Sequence, residues 1–262
     1  RRKYELLAMP HQTAVAELEI ADIYSTLNLN IEAIEIYSRV SDSFRRMKLR
    51  SEEARSRLSF GRTASLLGRS SLAKREFARS ERLYKEEGNS NGQTAVMLAV
   101  AELEFRRRRF SDAVSTIRTA RKSGNLRKNQ MILANLLEGE SLRHLGQLVT
   151  SEESLEMALA EAESTEQAGY ARTAISLLAG LADAKGDDRM AEDRFKDAIR
   201  RTEAMRGGLG SAEFSMAFLA DKLDAYQGLA SLYLRQGRLE EAFVLTENSR
   251  SRSLLDSMGS DR

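Results

Sequence analysis

The side chains that most often carry enzyme chemistry are nearly missing from this sequence. Its 262 residues include no Cys and two His, His11 and His144, which lie far apart along the chain. The lack of Cys excludes thiol nucleophiles, disulfide frameworks, iron–sulfur clusters and cysteine-ligated zinc. Two distant histidines do not supply a catalytic triad or a histidine metal site. We therefore expect a non-catalytic protein that requires no metal and no cofactor.

The remaining polar clusters favour structural roles. Four consecutive arginines, Arg106–Arg109, stand between two phenylalanines, and arginine forks match phosphate geometry. No aromatic platform or nucleic-acid motif accompanies them, so we interpret them as a solvated turn and expect no nucleic-acid partner. The acidic pairs at 152–153 and 187–188 fall at predicted helix starts, where carboxylates interact favourably with the helix dipole. The glycines of 207–210 lack the preceding strand of a phosphate-binding loop and indicate a connector.

The composition predicts that the elements holding these residues are almost all helices. The chain has 1 Pro, is 42% hydrophobic and 31% charged, and is rich in Ala, Leu, Glu and Arg. Proline breaks helix interiors, and sheet proteins need more turn residues and β-branched runs. Apolar runs such as 95–101 are too short to cross a bilayer. The sequence therefore predicts no membrane partner, and we expect a cytoplasmic location.

Charge is distributed unevenly along the chain. Residues 1–131 contain 26 Lys and Arg against 16 Asp and Glu, a net charge of +10, whereas residues 132–262 contain 15 against 23, a net charge of −8. In an elongated fold this difference would produce a dipole that steers a partner or favours association between copies. The alternative is that surface residues drifted in charge without a role.

A repeated pattern of small and large residues organises the chain. Each unit has a small residue in an apolar run, a turn residue seven positions later and a second small residue five positions after that. The first small residues are Ala21, Gly61, Ala101, Gly139, Ala179 and Ala230, at steps of 40, 40, 38, 40 and 51. Small residues allow two helices to cross closely, and large residues such as Tyr37, Phe77 and Phe195 fill the space beside them. One unit cannot bury its apolar face alone, so we predict stacked units.

The pattern predicts an all-α fold, a right-handed α-solenoid of about six antiparallel helix pairs with units of about 40 residues. Predicted helices occupy the following ranges: 12–27, 30–46, 52–67, 70–86, 91–107, 110–123, 127–145, 151–165, 167–185, 187–206, 213–236 and 238–257. We divide the chain into an N-terminal extension (1–11), repeats 1–5 (12–206), a terminal repeat with long helices (211–257) and a tail (258–262). No low-complexity linker interrupts it.

This pattern resembles the tetratricopeptide repeat (TPR) family over nearly all of residues 12–257. Two departures are visible. The units are longer than the usual unit of that family, and the Pro that often closes it is replaced by other residues, including Arg45, Lys85 and Asn125. The fourth repeat also has Glu138 where an apolar residue is expected.

The resemblance implies that the first helix of each pair lines a concave, partner-binding surface. The residues that it places there form a ladder of leucines and charges, which a protein or peptide would contact: Leu18, Asp22, Leu58, Arg62, Leu98, Glu102, Arg106, Leu136, Glu140 and Arg143. In this interpretation the leucines provide affinity and the charges set the register of the partner. The alternative is that the leucines belong to the core and the charges pair across adjacent repeats.

The last segment is similar to the terminal repeat that precedes a CHAT domain, a caspase- and separase-like peptidase domain found mostly in bacteria. The residues that carry this resemblance lie at 218–226, 236–243 and 247–256. The peptidase itself would need a Cys, and the chain has none, so no catalysis carries over. The resemblance implies the sensing or regulatory arm of a larger protein.

Three hypotheses about function remain open at this stage. The first is a protein–protein interaction scaffold of the CHAT-associated kind that binds a protein or peptide. The second is a helical-repeat regulator of a small signalling peptide or nucleotide, which predicts an enclosed pocket. The third is a scaffold that self-associates through its oppositely charged halves, which predicts salt-sensitive oligomers.

Overall fold

The computed structural model describes residues 9–124, 126–207 and 223–247, and every regular element in these ranges is an α-helix. The helices, in chain order, are α1 (Pro10–Thr26), α2 (Asn30–Arg46), α3 (Arg50–Leu66), α4 (Ser70–Glu86), α5 (Ser90–Arg106), α6 (Phe110–Lys122), α7 (Lys128–His144), α8 (Leu148–Ser164), α9 (Ala168–Ala184), α10 (Asp188–Arg206), α11 (Asp224–Arg235) and α12 (239–247).

For the first ten helices, the map predicted from the sequence is confirmed to within a few residues. The largest difference among them is at α8, which begins at Leu148, three residues before its predicted start. The prediction of one long helix over 213–236 is wrong, because α11 begins at Asp224 and has 12 residues. The predictions for 1–8, 211–222 and 248–262, which include most of the N-terminal extension and the whole tail, lie outside the described residues.

The same turn joins helices within a pair and between pairs. Each of α1 to α5 has 17 residues and is followed by a three-residue turn. The central residue of these turns is left-handed, with φ between +59° and +71°. At the α3–α4 turn, the amide of Arg69 donates to the carbonyl of Ala64 at 2.8 Å and the amide of Gly68 donates to Ser65 at 3.0 Å. This pairing satisfies carbonyls at the helix end and reverses the chain direction.

Small residues bring the paired helices close together, as the repeat predicts. A Cβ added to Gly61 of α3 would lie 2.5 Å from the Phe77 ring of α4. A Cβ added to Gly139 of α7 would lie 2.6 Å from Leu155 of α8. Neither distance is compatible with a side chain, so glycine sets how closely the helices approach. The Ser151 hydroxyl also donates to the Gly139 carbonyl at 2.7 Å across that crossing.

The contacts divide the chain into two compact units, unit 1 (residues 1–130) and unit 2 (residues 131–262). The boundary follows a local change in the repeat, because α6 has 13 residues instead of 17 and the next helix begins at Lys128. In unit 1 the core includes the rings of Tyr37, Phe44 and Phe77. In unit 2 the core is built on aliphatic side chains of α7–α9 and on a second cluster around Phe195.

Candidate protein-binding surface

In unit 1 the first helices of the pairs, α1, α3 and α5, also contact one another. We call the polar surface along them the first-helix face and define it by Asp22, Arg55, Arg62 and Glu102. Asp22 lies on α1, Arg55 and Arg62 lie on α3, and Glu102 lies on α5. Ion pairs join Asp22 to Arg55 and Arg62 to Glu102. The face contains the charged residues Asp22, Arg62 and Glu102 of the predicted ladder.

The four leucines of the predicted ladder are core residues. Leu18, Leu58, Leu98 and Leu136 are between 0% and 8% exposed. Each lies at a helix–helix contact, where burial of its side chain stabilises the stack. These leucines therefore support the helices that carry the charges, and their side chains are not available as surface anchors.

Asp22 forms a bridge between repeats 1 and 2. Its carboxylate accepts a hydrogen bond from the Tyr37 hydroxyl at 2.7 Å and one from the Arg55 guanidinium at 3.0 Å. Burial, together with the hydrogen bond to Asp22, raises the pKa of Tyr37. The phenol therefore stays protonated and remains a donor, which fixes the carboxylate on the first-helix face.

Arg62 and Glu102 form the corresponding bridge between repeats 2 and 3. The Arg62 Nε lies 3.3 Å from a Glu102 carboxylate oxygen. Burial raises the pKa of nearby Tyr84, against an opposing electrostatic effect from Arg55, Arg62 and Arg127. The charges of the ladder thus pair across adjacent repeats in unit 1, as the alternative interpretation expects.

The other predicted site residues behave differently. Arg106 is exposed at the end of α5, with no ion partner among the described residues. In unit 2, Glu140 and Arg143 pair within α7, and their two contacts measure 2.7 and 3.0 Å. His144 lies 3.4 Å from the same Glu140 carboxylate, as expected for a residue in the last turn of a helix.

A cleft opens beside Asp22 at the first pair of helices. It has a volume of about 290 Å³ and is lined by Glu19, Asp22, Ile23, Thr26, Leu27 and Arg55. Ile23 is 56% exposed, whereas its counterparts in the next two repeats, Thr63 and Leu103, are buried. The cleft combines an apolar contact with charged groups of both signs.

Sequence reasoning missed Arg55 and Ile23. Arg55 lies three residues before Leu58, so extending the ladder by one helical turn would have found it. Reasoning also missed a buried ion cluster in unit 1, where Arg57 contacts Glu53 at 2.7 Å and Glu76 at 2.8 Å. That cluster connects α3 and α4 inside the unit and has no access to a partner.

The described residues contain no group of three or more His, Cys, Asp or Glu side chains arranged to hold a metal ion. Within the same ranges, no helix has the length and apolar character needed to cross a membrane.

Comparison with solved structures shows the fold. A Rap protein complexed with Competence and Sporulation Factor matches with a TM-score of 0.67 and 12% identity, covering 92% of this chain and 75% of that chain. Aspartyl phosphate phosphatase F from Bacillus subtilis matches with a TM-score of 0.62 and 14% identity, and the match covers 96% of this chain and 75% of that chain. A Podosopora anserina putative kinesin light chain with nearly identical TPR-like repeats matches with a TM-score of 0.52 and 18% identity. This match covers 79% of this chain and 96% of that chain.

The chain therefore has an all-α fold of sequential antiparallel helix pairs, of the TPR-like solenoid class, and the predicted fold class is confirmed. At these identities the likeness concerns the fold alone. No protein-family model and no curated protein matches the sequence.

Proposed function

We propose that this chain is a non-catalytic binding module for a protein or peptide, which it contacts through the first-helix face of unit 1. The cleft beside Asp22 is the observation that carries the proposal. It offers the exposed Ile23 as an apolar contact and the carboxylates of Glu19 and Asp22 beside it. Peptide recognition commonly uses an apolar anchor flanked by charges that set orientation.

The chemistry of the cleft defines the partner. Its two carboxylates face a single guanidinium, Arg55, which already pairs with Asp22 at 3.0 Å. Glu19 is exposed and has no ion partner among the described residues. The cleft therefore has unbalanced negative charge, and it fits a segment with an apolar side chain next to a lysine or arginine.

Two further observations support a partner of this kind. The pairs Asp22–Arg55 and Arg62–Glu102 connect successive first helices, so the face is held in one arrangement before a partner arrives. Preorganisation lowers the entropy cost of association. One of the proteins with the same fold, the Rap protein, is complexed with Competence and Sporulation Factor.

A selection from a displayed random-peptide library tests the proposal. We expect enriched peptides to carry an apolar residue beside a basic one and to lose binding by tenfold or more to Ile23→Asp, since the loss of an anchor residue costs about 2 kcal/mol or more. Ile31→Asp is the matched control, because Ile31 is 60% exposed on α2 and lies outside the cleft. Selected peptides that bind both variants as tightly as the unaltered chain would overturn the proposal.

We also propose that the chain is the sensing arm of a larger bacterial CHAT-type protein of the cytoplasm. The support is the sequence at 218–226, 236–243 and 247–256, together with the helical hairpin around Gly237 within that segment. Mass spectrometry of the endogenous protein tests this proposal. Peptides from a following domain with a His and Cys pair are expected, and a native protein that lacks such a domain would contradict it.

A further inference from the structure

The turn between α5 and α6 is a concentrated basic patch. We call Arg106–Arg109 the arginine turn. Arg109 pairs with Asp112 through an Nε–Oδ2 contact of 2.6 Å, whereas Arg106, Arg107 and Arg108 are exposed and have no ion partner among the described residues. Phe105 and Phe110 flank the turn in an edge-to-face contact, with ring centroids 5.5 Å apart. The turn therefore presents three guanidinium groups next to aromatic surface.

The backbone shows that this turn does not need arginine for its own geometry. Arg108 adopts a left-handed conformation, with φ of 59°. At the corresponding position four other pairs carry glycine, namely Gly68, Gly146, Gly186 and Gly237. A side chain in this conformation is strained relative to glycine. Glycine would serve the turn at least as well, so the geometry of the turn does not account for the arginine.

A surface of opposite character lies on α8 in unit 2. Val149, Glu153, Glu156 and Met157 stand at positions i, i+4, i+7 and i+8 of the helix, so they share one face, which we call the acidic face of α8. Val149 is 69% exposed and Met157 is 56% exposed. Glu153 and Glu156 are exposed and have no ion partner within the described part of the chain. The face combines two free carboxylates with apolar side chains.

The two surfaces belong to units of opposite net charge. Residue 131 is Met, so the unit boundary and the change in charge coincide, and unit 1 carries +10 while unit 2 carries −8. Guanidinium groups bind carboxylates through paired hydrogen bonds, and arginine also packs well on apolar surface. The acidic face of α8 therefore has the charge and the apolar contacts that the arginine turn requires.

We propose that the chain associates with a second copy of itself, with the arginine turn of one copy seated on the acidic face of α8 of the other. Each contact joins one basic and one acidic surface, so a copy has one donor and one acceptor surface. Each exposed ion pair contributes little on its own, so the association is weak and depends on salt. This inference is independent of the peptide cleft, which lies on α1 and α3.

Light scattering coupled to size exclusion tests the inference on the full 262-residue chain. We expect oligomers at about 0.1 M salt and monomers at about 1 M, where the Debye length falls from about 10 Å to about 3 Å. A triple variant with Arg106→Gln, Arg107→Gln and Arg108→Gln should be monomeric at both salts. A double variant with Glu153→Gln and Glu156→Gln should also be monomeric.

Mixing the two variants gives the decisive measurement. The first keeps an intact acidic face and the second keeps an intact arginine turn, so an equimolar mixture should form a complex of one copy of each. A control variant with Lys48→Gln, Lys74→Gln and Arg82→Gln removes the same charge from exposed lysines and arginine of unit 1 outside the turn, and it should assemble as the unaltered chain does.

Three results would overturn the inference. The first is an unaltered chain that is monomeric at low salt over the whole accessible range of concentration. The second is an equal loss of assembly in the control variant, which would assign the effect to net charge. The third is assembly that survives neutralisation of the acidic face, which would mean that the arginine turn contacts a different surface. Peptide binding at the cleft should be unchanged in every variant, so the two proposals fail separately.

Discussion

Units 1 and 2 build the same helix pairs from different side chains. The largest fully buried side chains of unit 1 include Tyr37, Phe44 and Phe77, whereas those of unit 2 are Ile132 and five leucines. Both units nevertheless keep helices of 17 residues separated by three-residue turns in most pairs. The comparison shows that turns and small crossing residues set the repeat geometry, and that different combinations of large residues fill the space it leaves.

The units also differ in how they treat buried charge. In unit 1 the Arg57 guanidinium contacts Glu53 and Glu76, and all three side chains are buried. In unit 2 the buried Arg172 pairs at 3.1 Å with Asp224, whose side chain is 46% exposed. The buried Glu53 carboxylate has Arg57 as its ion partner and depends on it, because an unpaired charge at this depth has no access to water. An ion pair open to solvent tolerates the loss of one partner.

The largest effects are expected where the units fill the same position with different residues. Phe77→Ala in unit 1 and Leu155→Ala in unit 2 should each lower the free energy of unfolding, by about 3–5 and about 2–5 kcal/mol. Hydrogen exchange should rise mainly in unit 1 for the first variant and mainly in unit 2 for the second. Urea unfolding monitored by hydrogen exchange measures the free energy of unfolding and shows in which unit the exchange rises. Equal changes in exchange over the whole chain would mean that the two units unfold as one.

The next largest difference in stability between the units is expected when a buried charge is removed. Arg57→Leu leaves the buried Glu53 carboxylate without its partner, whereas Glu76 keeps Arg75 and Arg79. We expect a loss of about 3 kcal/mol in the free energy of unfolding. Arg172→Leu leaves Asp224 in contact with water, and the expected loss is about 1 kcal/mol. Urea titration at neutral pH checks the order. Equal losses would show that solvent reaches both clusters.

A smaller, pH-dependent effect is expected in unit 2. Hydrogen bonds from Arg238 lower the pKa of Glu192 from 4.5 to about 2. Because the folded-state pKa is lowered, this contribution is present above pH 4.5 and is lost as the pH falls towards about 2. Glu192→Gln should therefore be less stable at pH 7, on the order of 1 kcal/mol after solvent screening, and the difference should vanish in acid.

Chemical unfolding of the unaltered chain and Glu192→Gln over this pH range measures that difference. Asp193→Asn is the matched control, because Asp193 is exposed on the same helix and has no ion partner among the described residues. A difference that persists undiminished down to about pH 2 would assign the effect of Glu192→Gln to packing.

The smallest effects on stability are expected at the turns. They should be equal in the two units, because both units use the same turn geometry. Lys48 and Glu166 have φ values of 60° and 55°, where other turns carry glycine. Lys48→Gly and Glu166→Gly should each stabilise the chain by up to about 1 kcal/mol, by relief of left-handed strain. Thermal unfolding measures the gain, and Gly68→Ala and Gly186→Ala should show the opposite sign. A gain in only one unit would mean that the turns differ in ways that φ does not reveal.

The sequence predicts the fold well because the repeat is a local signal. Turn residues, small crossing residues and apolar spacing each recur at steps close to 40 residues. A helix boundary that is ambiguous in one unit is therefore placed by alignment with the other units. The short helix α6 explains the 38-residue step, and the glycine at 124 marks it in the sequence. The division into two units depends on contacts that a sequence pattern does not specify.

The binding surface was less predictable, for a physical reason. Leu18 and Asp22 both lie towards the first-helix face in sequence spacing, but the depth of a side chain depends on the neighbouring helices. Pairing partners such as Arg55 for Asp22 come from another repeat, 33 positions away. The exposure of Ile23 also follows from its place in the first described helix pair, which a repeat alignment treats as equivalent to the others.

The common turn has a consequence for how such chains change in length. A deletion of residues 50–89 would join Leu49 to Ser90, and a three-residue turn would again connect two helices of 17 residues. Gly92, which now faces the ring of Tyr84, would face Phe44, the aromatic residue at the equivalent position one block earlier. Each block therefore begins and ends with the same turn geometry and similar side chains. The loss or duplication of a block during evolution would produce a junction of a kind that already occurs elsewhere in the chain.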